Sequence, residues 1–241
     1  MRAETRHQLK QDRFSRVTID AAGSAVHWTV EHQKKLMIAA VVLLVVVAAA
    51  FGGWYYLDQQ DQKASVLLGQ ATRTMDTQLR PAGVPAEPNF PSFGSSKERA
   101  TAAQKQFQEI VSQYPHTHSA DMARYFLGVT AAQLGDNAAA ERDLRQIASM
   151  RDDDLASLGK LALASVYRNT NRTREAIDLY NQLINKPTRT VGKVMAQLQL
   201  AATYQEGQQP AEAKRIYEQI QKENPSTDAA QIASTKLQAL K

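Results

Sequence analysis

Two histidines, His116 and His118, are the first side chains in this 241-residue chain whose type and spacing suggest chemistry. Together they could supply two ligands to a zinc ion, but a tetrahedral site takes four, drawn from Cys, His, Asp or Glu. The chain has no cysteine, and its other histidines, His7, His27 and His32, all precede a long apolar run. No metal and no cofactor is therefore expected. Asp152, Asp153 and Asp154 could attract a cation, yet they also stand where a helix begins, where acids favour the positive end of the helix dipole; capping is the stronger reading. Asn171-Arg172-Thr173 fits a glycosylation sequon and equally a turn with a helix start. A phosphate-binding Gly-rich loop with Lys, a Gly-x-Ser-x-Gly elbow, a His-Glu-x-x-His pair and a cysteine nucleophile are all absent. The residues point away from an enzyme and towards binding.

The pattern that would position a binding surface is periodic. Ala103, Ala140, Ala176 and Ala213 recur at separations of 37, 36 and 37 residues. A large apolar residue follows each after four positions (Phe107, Leu144, Tyr180, Tyr217) and another after seven (Ile110, Ile147, Leu183, Ile220). Offsets of four and seven fall on one helical face, and a period in this range is the signature of stacked helical hairpins. Twelve residues after each alanine stand Pro115, Asp152, Thr188 (with Pro187 before it) and Pro225, where the helix must stop. The pattern predicts helices near 97–114, 119–134, 137–149, 154–169, 172–185, 189–206, 210–223 and 227–240. Short turns such as Gly135-Asp136-Asn137 and Gly207-Gln208-Gln209-Pro210 join them into antiparallel pairs.

Residues 36–57 are 22 consecutive positions without a formal charge, about the length of helix that crosses roughly 30 Å of hydrocarbon. Seven of the 29 Lys and Arg, but four of the 24 Asp and Glu, lie in residues 1–35, and Asp58 and Asp61 open the far side. The positive-inside rule then puts the N-terminus in the cytoplasm and the larger C-terminal part across an inner, or cell, membrane. Trp28, Lys34 and Lys35 before the span, and Trp54, Tyr55 and Tyr56 at its end, are the expected interface anchors. The alternative is a cleaved signal using Ala48-Ala49-Ala50, but a 35-residue leader is long for one and the apolar run continues to Leu57. The leader, with Phe14, Val17, Val26, Trp28 and Val30 among basic residues, reads either as an amphipathic helix on the inner leaflet or as a loosely ordered tail. From residue 58 onward, 22 basic residues face 20 acidic ones, a balance that argues against a nucleic-acid partner.

Residues 58–80 lack proline before Pro81 and read as a helical stalk, followed by a loop at 81–96 with four prolines and two glycines, a composition that prevents helix and sheet. Phe90 and Phe93 in that loop could dock on the repeats. Ala48/Gly52 and Ala49/Gly53 are small pairs that would permit close helix contact within the span.

The hairpins resemble tetratricopeptide repeats. Gly128, Ala164 and Ala201, each twelve before a ladder alanine, match the family's small residue; Leu127, Leu163 and Leu200 precede them, and Tyr167 and Tyr204 follow three positions on, with Ala131 the exception. Twelve before Ala103 is Pro91, so the first unit lacks an adjacent first helix, which the stalk at 62–80 could fold back to supply. With its single span and stalk, the chain is similar to the ancillary Sec-translocon subunit family, relatives of the cell-division coordinator repeat domain. That resemblance implies an all-α fold: one transmembrane helix, then an α-solenoid over 97–241 ending in a capping helix. It implies a periplasmic protein-interaction domain that works with translocon components, periplasmic chaperones or emerging exported chains. A scaffold for envelope assembly or division is the alternative. In tetratricopeptide repeats the first helices line a concave groove, and the matching positions are Met122, Tyr125, Val129, Leu158, Leu161, Arg168, Met195, Leu198 and Gln205. Methionines and aliphatics there would suit extended apolar peptides of varied sequence. The alternative is that some of them only pack on the next hairpin.

Overall fold

A computed structural model of the chain describes residues 32–81, 83–85 and 92–240. Among the described residues there are nine helices and no strand. They are α1 (Gln33–Asp76), α2 (Ser96–Gln113), α3 (His118–Leu134), α4 (Asn137–Ala148), α5 (Asp153–Asn169), α6 (Thr173–Asn185), α7 (Lys193–Glu206), α8 (Pro210–Glu223) and α9 (Asp228–Ala239). The chain divides into two compact units, residues 1–56 and 57–241.

In the first unit, α1 is long and apolar enough to cross a membrane, and none of its most apolar window is buried. Between residues 36 and 57 its Val, Leu, Ile and Phe side chains are exposed, with Leu44 68% and Phe51 66% accessible. Trp54, Tyr55 and Tyr56 are exposed too, the Phe51 and Trp54 rings lying 5.8 Å apart. A β-carbon built on Gly52 or Gly53 would meet nothing. Trp28 and the leader as far as residue 31 lie outside the described residues.

The second unit shows what the alanine period is for. All four ladder alanines have no accessible surface, and Phe107, Leu144, Tyr180 and Tyr217 beside them are at most 1% exposed. Ile110, Ile147, Leu183 and Ile220, one turn further, are equally buried. Each such side chain removed from water contributes about 1.5–3 kcal/mol, so the stripe on each second helix is the main source of cohesion. Small residues on the first helices make room for it. Ala164 and Ala201 are fully buried, and at Gly128 a β-carbon would lie 2.5 Å from Leu144 Cγ.

Local signals set the helix ends. The side chains of Ser95, Thr117, Asp136, Asp152 and Thr227 each accept a backbone N–H from the first turn of the helix that follows, satisfying donors with no partner inside the helix. The turns within the three complete hairpins share one geometry. Gly135, Asn171 and Gln208 have φ of +85°, +60° and +57°. The N–H of the next residue then donates to the carbonyl five residues back: Asp136 to Ala131, Arg172 to Tyr167 and Gln209 to Tyr204, at 2.8–2.9 Å. This is the left-handed closure that lets a helix reverse in a few residues.

Two segments differ from the pattern. Helix α7 begins at Lys193 rather than near 189, because the chain before it is held by tertiary contacts. Arg189 pairs through its guanidinium with Asp154 and donates its own N–H to that carboxylate at 3.1 Å, while Thr190 Oγ1 donates to the Asp154 carbonyl at 2.7 Å and Val191 is fully buried. Helix α1 ends at Asp76, before Pro81. Beyond it the loop ends do pair: Leu79 and Phe93 form an isolated parallel β-bridge, and Arg80 donates its N–H to the Phe93 carbonyl at 2.8 Å. Phe93 is half-buried, and Phe90 lies outside the described residues.

Helix α2 finds its partner in residues 57–76 of α1, with no fold-back. Ala64 and Ala71, seven residues apart and both fully buried, pack in one cluster with Ala103, Phe107, Ile110, Ala123 and Leu127. Asp61 Oδ1 accepts the Ser119 N–H at 2.8 Å, and Arg99 Nη1 donates to the Thr77 carbonyl at 2.7 Å. A carboxylate from one helix thus completes the first turn of another.

Candidate protein-binding face

Helices α3, α5 and α7 are the first members of the three complete hairpins. Their small residues turn inward, towards α4, α6 and α8, which leaves the opposite sides of the same helices to face outward. Met122, Tyr125 and Val129 lie on α3, Leu158, Leu161 and Arg168 on α5, and Met195, Leu198 and Gln205 on α7; offsets of three, seven or ten put each set on one helical stripe. All are half-buried except Met195, which is 46% exposed.

The neighbouring stripes are in register with each other. Helix α3 touches α5 directly. Arg168 on α5 donates through Nη1 to Gln199 Oε1 on α7 at 3.1 Å, and its Nε lies 3.3 Å from Glu206 Oε2. The structure therefore gives Arg168 a fixed polar role at the α5/α7 seam. The apolar members behave differently: Tyr125, Val129, Leu158, Leu161 and Leu198 all rest part of their surface on the main core cluster. Tyr125 also meets Phe126 edge-on, with centroids 5.2 Å apart, and Phe126 stacks on Phe107 at 5.1 Å. Burial pushes the Tyr125 hydroxyl above its ordinary pKa. These side chains serve packing and surface at once, which is what a half-buried apolar stripe does.

The other side of the hairpins is charged. Glu141 accepts from Arg172 Nη1 at 2.7 Å and from the Tyr167 hydroxyl at 3.2 Å, and it pairs with Arg145. The Arg172 guanidinium also sits 4.0 Å from the Tyr167 ring centroid. Burial raises the Glu141 carboxyl pKa, but the hydrogen bonds and charges of these partners more than offset it and hold the group below its ordinary range. The network spans α4, α5 and the start of α6, so it locks neighbouring hairpins together. The residues with ligand-like spacing have structural work: Asp152 caps α5, while Asp153 pairs with Lys186 and Asp154 with Arg189. His116 and His118 are exposed, and Asn171 occupies its turn with positive φ.

In the sequence Asp61 reads only as a flanking charge of the apolar run. Its partner, the Ser119 N–H, is 58 positions away, and no local pattern announces it. A hint was available in the free first-turn donors at the start of α3, which need acceptors from somewhere.

Comparison with known proteins agrees with this geometry. A family model described as a tetratricopeptide repeat-like domain matches residues 26–182, and a tetratricopeptide repeat model matches residues 195–227. No curated protein matches the chain. Such repeats are protein–protein interaction modules, in keeping with the half-buried apolar stripes on α3, α5 and α7. With more than half of its length matched by that one model, the chain belongs to the tetratricopeptide repeat-like domain family.

Proposed function

We propose that this protein is a membrane-anchored binding module. Residues 36–57 hold it in the cell membrane with the N-terminus cytoplasmic, and the repeats work on the opposite, extracytoplasmic side. Its groove, formed by Met122, Tyr125, Val129, Leu158, Leu161, Met195 and Leu198, takes extended apolar segments of exported chains as they emerge at the Sec translocon. The observation that carries this reading is the run of partly accessible aliphatic, methionine and tyrosine side chains along three adjacent first helices. Apolar surface that is neither wholly buried nor scattered marks a contact site, and flexible side chains tolerate varied partners. The fully exposed apolar stretch of α1 supports the anchor, and the family match that begins at residue 26 takes in that stretch together with the repeats.

Photo-crosslinkers placed at Tyr125 or Leu198 in intact membranes test it. Translocon components, periplasmic chaperones or exported chains should be recovered, and recovery of none of them would sink the proposal. Arg168, hydrogen-bonded to Gln199 and beside Glu206, favours a second reading, since a charged group placed within an apolar face suits one partner of defined sequence. On that reading the repeats scaffold envelope assembly or division, and one stoichiometric partner co-purifies from detergent.

A further inference from the structure

On the side of α7 away from the proposed groove, a cleft of about 470 Å³ opens between α6, α7 and α8. Its α7 residues, Lys193, Gln197, Leu200 and Tyr204, follow offsets of four, seven and eleven. At about 100° per residue that stripe is centred roughly 140° around the helix from Met195, Leu198 and Gln205. The two surfaces are therefore separate.

The lining is unusual in its chemistry. Four primary amides face it: Asn181 and Asn185, one turn apart on α6, Gln197 on α7 and Gln219 on α8. Gln197 is 3% exposed, and its Oε1 is buried with no hydrogen-bond partner. A buried carbonyl oxygen left without a donor costs about 1–3 kcal/mol, so the fold tolerates it against a gain obtained elsewhere. Beside it, Leu200 and Ile216 form an apolar floor, 5% and 6% exposed. The cations at the rim are already matched: Lys193 lies 2.9 Å from Glu223, and Arg215 3.1 Å from Glu212. Lys193 and Arg215 are the only charged residues lining the cleft, and each is paired with a glutamate just outside it, so the cleft carries little net charge. That argues against phosphate, nucleic acid or an acidic peptide as its ligand.

We propose that this cleft binds the backbone of an extended, uncharged segment of a partner polypeptide, as a second contact site apart from the groove. A primary amide carries the same donor and acceptor as a peptide unit and can pair with one through both atoms. With its side chain turned into the cleft, Gln197 uses Oε1 to accept a backbone N–H of the ligand, and Asn181, Asn185 and Gln219 meet neighbouring peptide units. Leu200 and Ile216 receive one apolar side chain. Recognition through the backbone gives affinity with little dependence on sequence.

The test uses the full chain in detergent micelles and a fluorescent, end-capped hexapeptide of alternating Ser and Val, read by anisotropy. Saturable binding is expected. Replacing Gln197→Leu should weaken it about tenfold, the loss of roughly one buried hydrogen bond. The double variant Asn181→Ala/Asn185→Ala changes only exposed side chains of α6, so it should weaken binding without lowering Tm. The same peptide N-methylated at alternate positions should not bind, and Met195→Glu should make no difference. Absence of saturable binding overturns the proposal, as does equal binding of the N-methylated peptide. Loss of binding in Met195→Glu but in neither cleft variant would move the peptide to the groove and overturn it as well.

Discussion

Gly159 lies in the interior of α5, where alanine would ordinarily stabilise a helix by about 1 kcal/mol. Here the added β-carbon would lie 2.7 Å from the Ala148 backbone nitrogen, 2.8 Å from Ile147 Cγ2 and 3.0 Å from the Ile147 carbonyl carbon. Two of the three neighbours are backbone atoms at the end of α4, so no rotamer change relieves the overlap; α4 and α5 must separate. Overpacking of this kind costs about 1–3 kcal/mol, and rigid neighbours put it near the upper end. Gly159→Ala is therefore expected to destabilise by about 2 kcal/mol after the helical gain, lowering Tm by about 4–8 °C for a domain of this size. Gly69→Ala in α1 is the matched control, because its nearest neighbour is the flexible tip of Arg73 at 3.9 Å. That change should instead raise Tm by about 2–4 °C. Thermal unfolding followed by far-ultraviolet circular dichroism, with wild type and both variants in the same detergent, decides between them. If Gly159→Ala raised Tm as much as Gly69→Ala, the inference that the α4/α5 contact is closed to a single methyl group would be wrong.

Two further outcomes follow from the electrostatics. Asp61→Ala removes the acceptor of the Ser119 N–H and a negative charge at the start of α3, a loss of about 1–2 kcal/mol; it should speed hydrogen exchange at the Ser119 amide and expose Arg80 and Arg99 to trypsin, and unchanged exchange would refute the tie. Acid should also weaken the fold: Arg189 holds the Asp154 carboxyl below its ordinary 3.8, and Arg172 holds Glu175 below 4.5, as do Gln219 and Lys193 for Glu223, with Glu141 likewise lowered. Groups with lowered pKa contribute fully above those ordinary values, and that contribution is lost as pH falls through the folded ones. Asp121, raised by burial, has the opposite sign: its contribution is present below 3.8 and is lost as pH rises through its folded value. With four groups against one, the urea midpoint at about pH 3.5 should lie below that at about pH 7, and a higher acid midpoint would refute the balance.

The residues most legible in the sequence were those whose job is local or periodic. Ala140 with Leu144 and Ile147 announces a buried helical stripe through offsets of four and seven alone, because a helix places those positions on one side whatever surrounds it. Pro115, Asp152 and Asn171 likewise mark helix ends through backbone chemistry that acts within a few residues. Helical register was legible to the same degree: Met122 or Leu198 can be assigned to a stripe from its register with the ladder.

What required the tertiary structure is every feature made by residues far apart. Gly159 reads as an unremarkable helix interior until the end of α4 is seen against it. Asp61 reads as a flanking charge until it meets Ser119, and Arg168 as a groove cation until Glu206 and Gln199 hold it. The Gln197 cleft exists only where α6, α7 and α8 converge. The physical reason is common to all of them. Periodicity specifies which side of a helix is apolar, at a range of a few residues, whereas contact distances and burial depend on how helices 20–60 positions apart are stacked, and chain order alone carries no record of that. The sequence by itself determined that this is a ladder of helical hairpins behind one long apolar helix; the tertiary structure decided which of its polar side chains are locked into seams and which are left facing a surface.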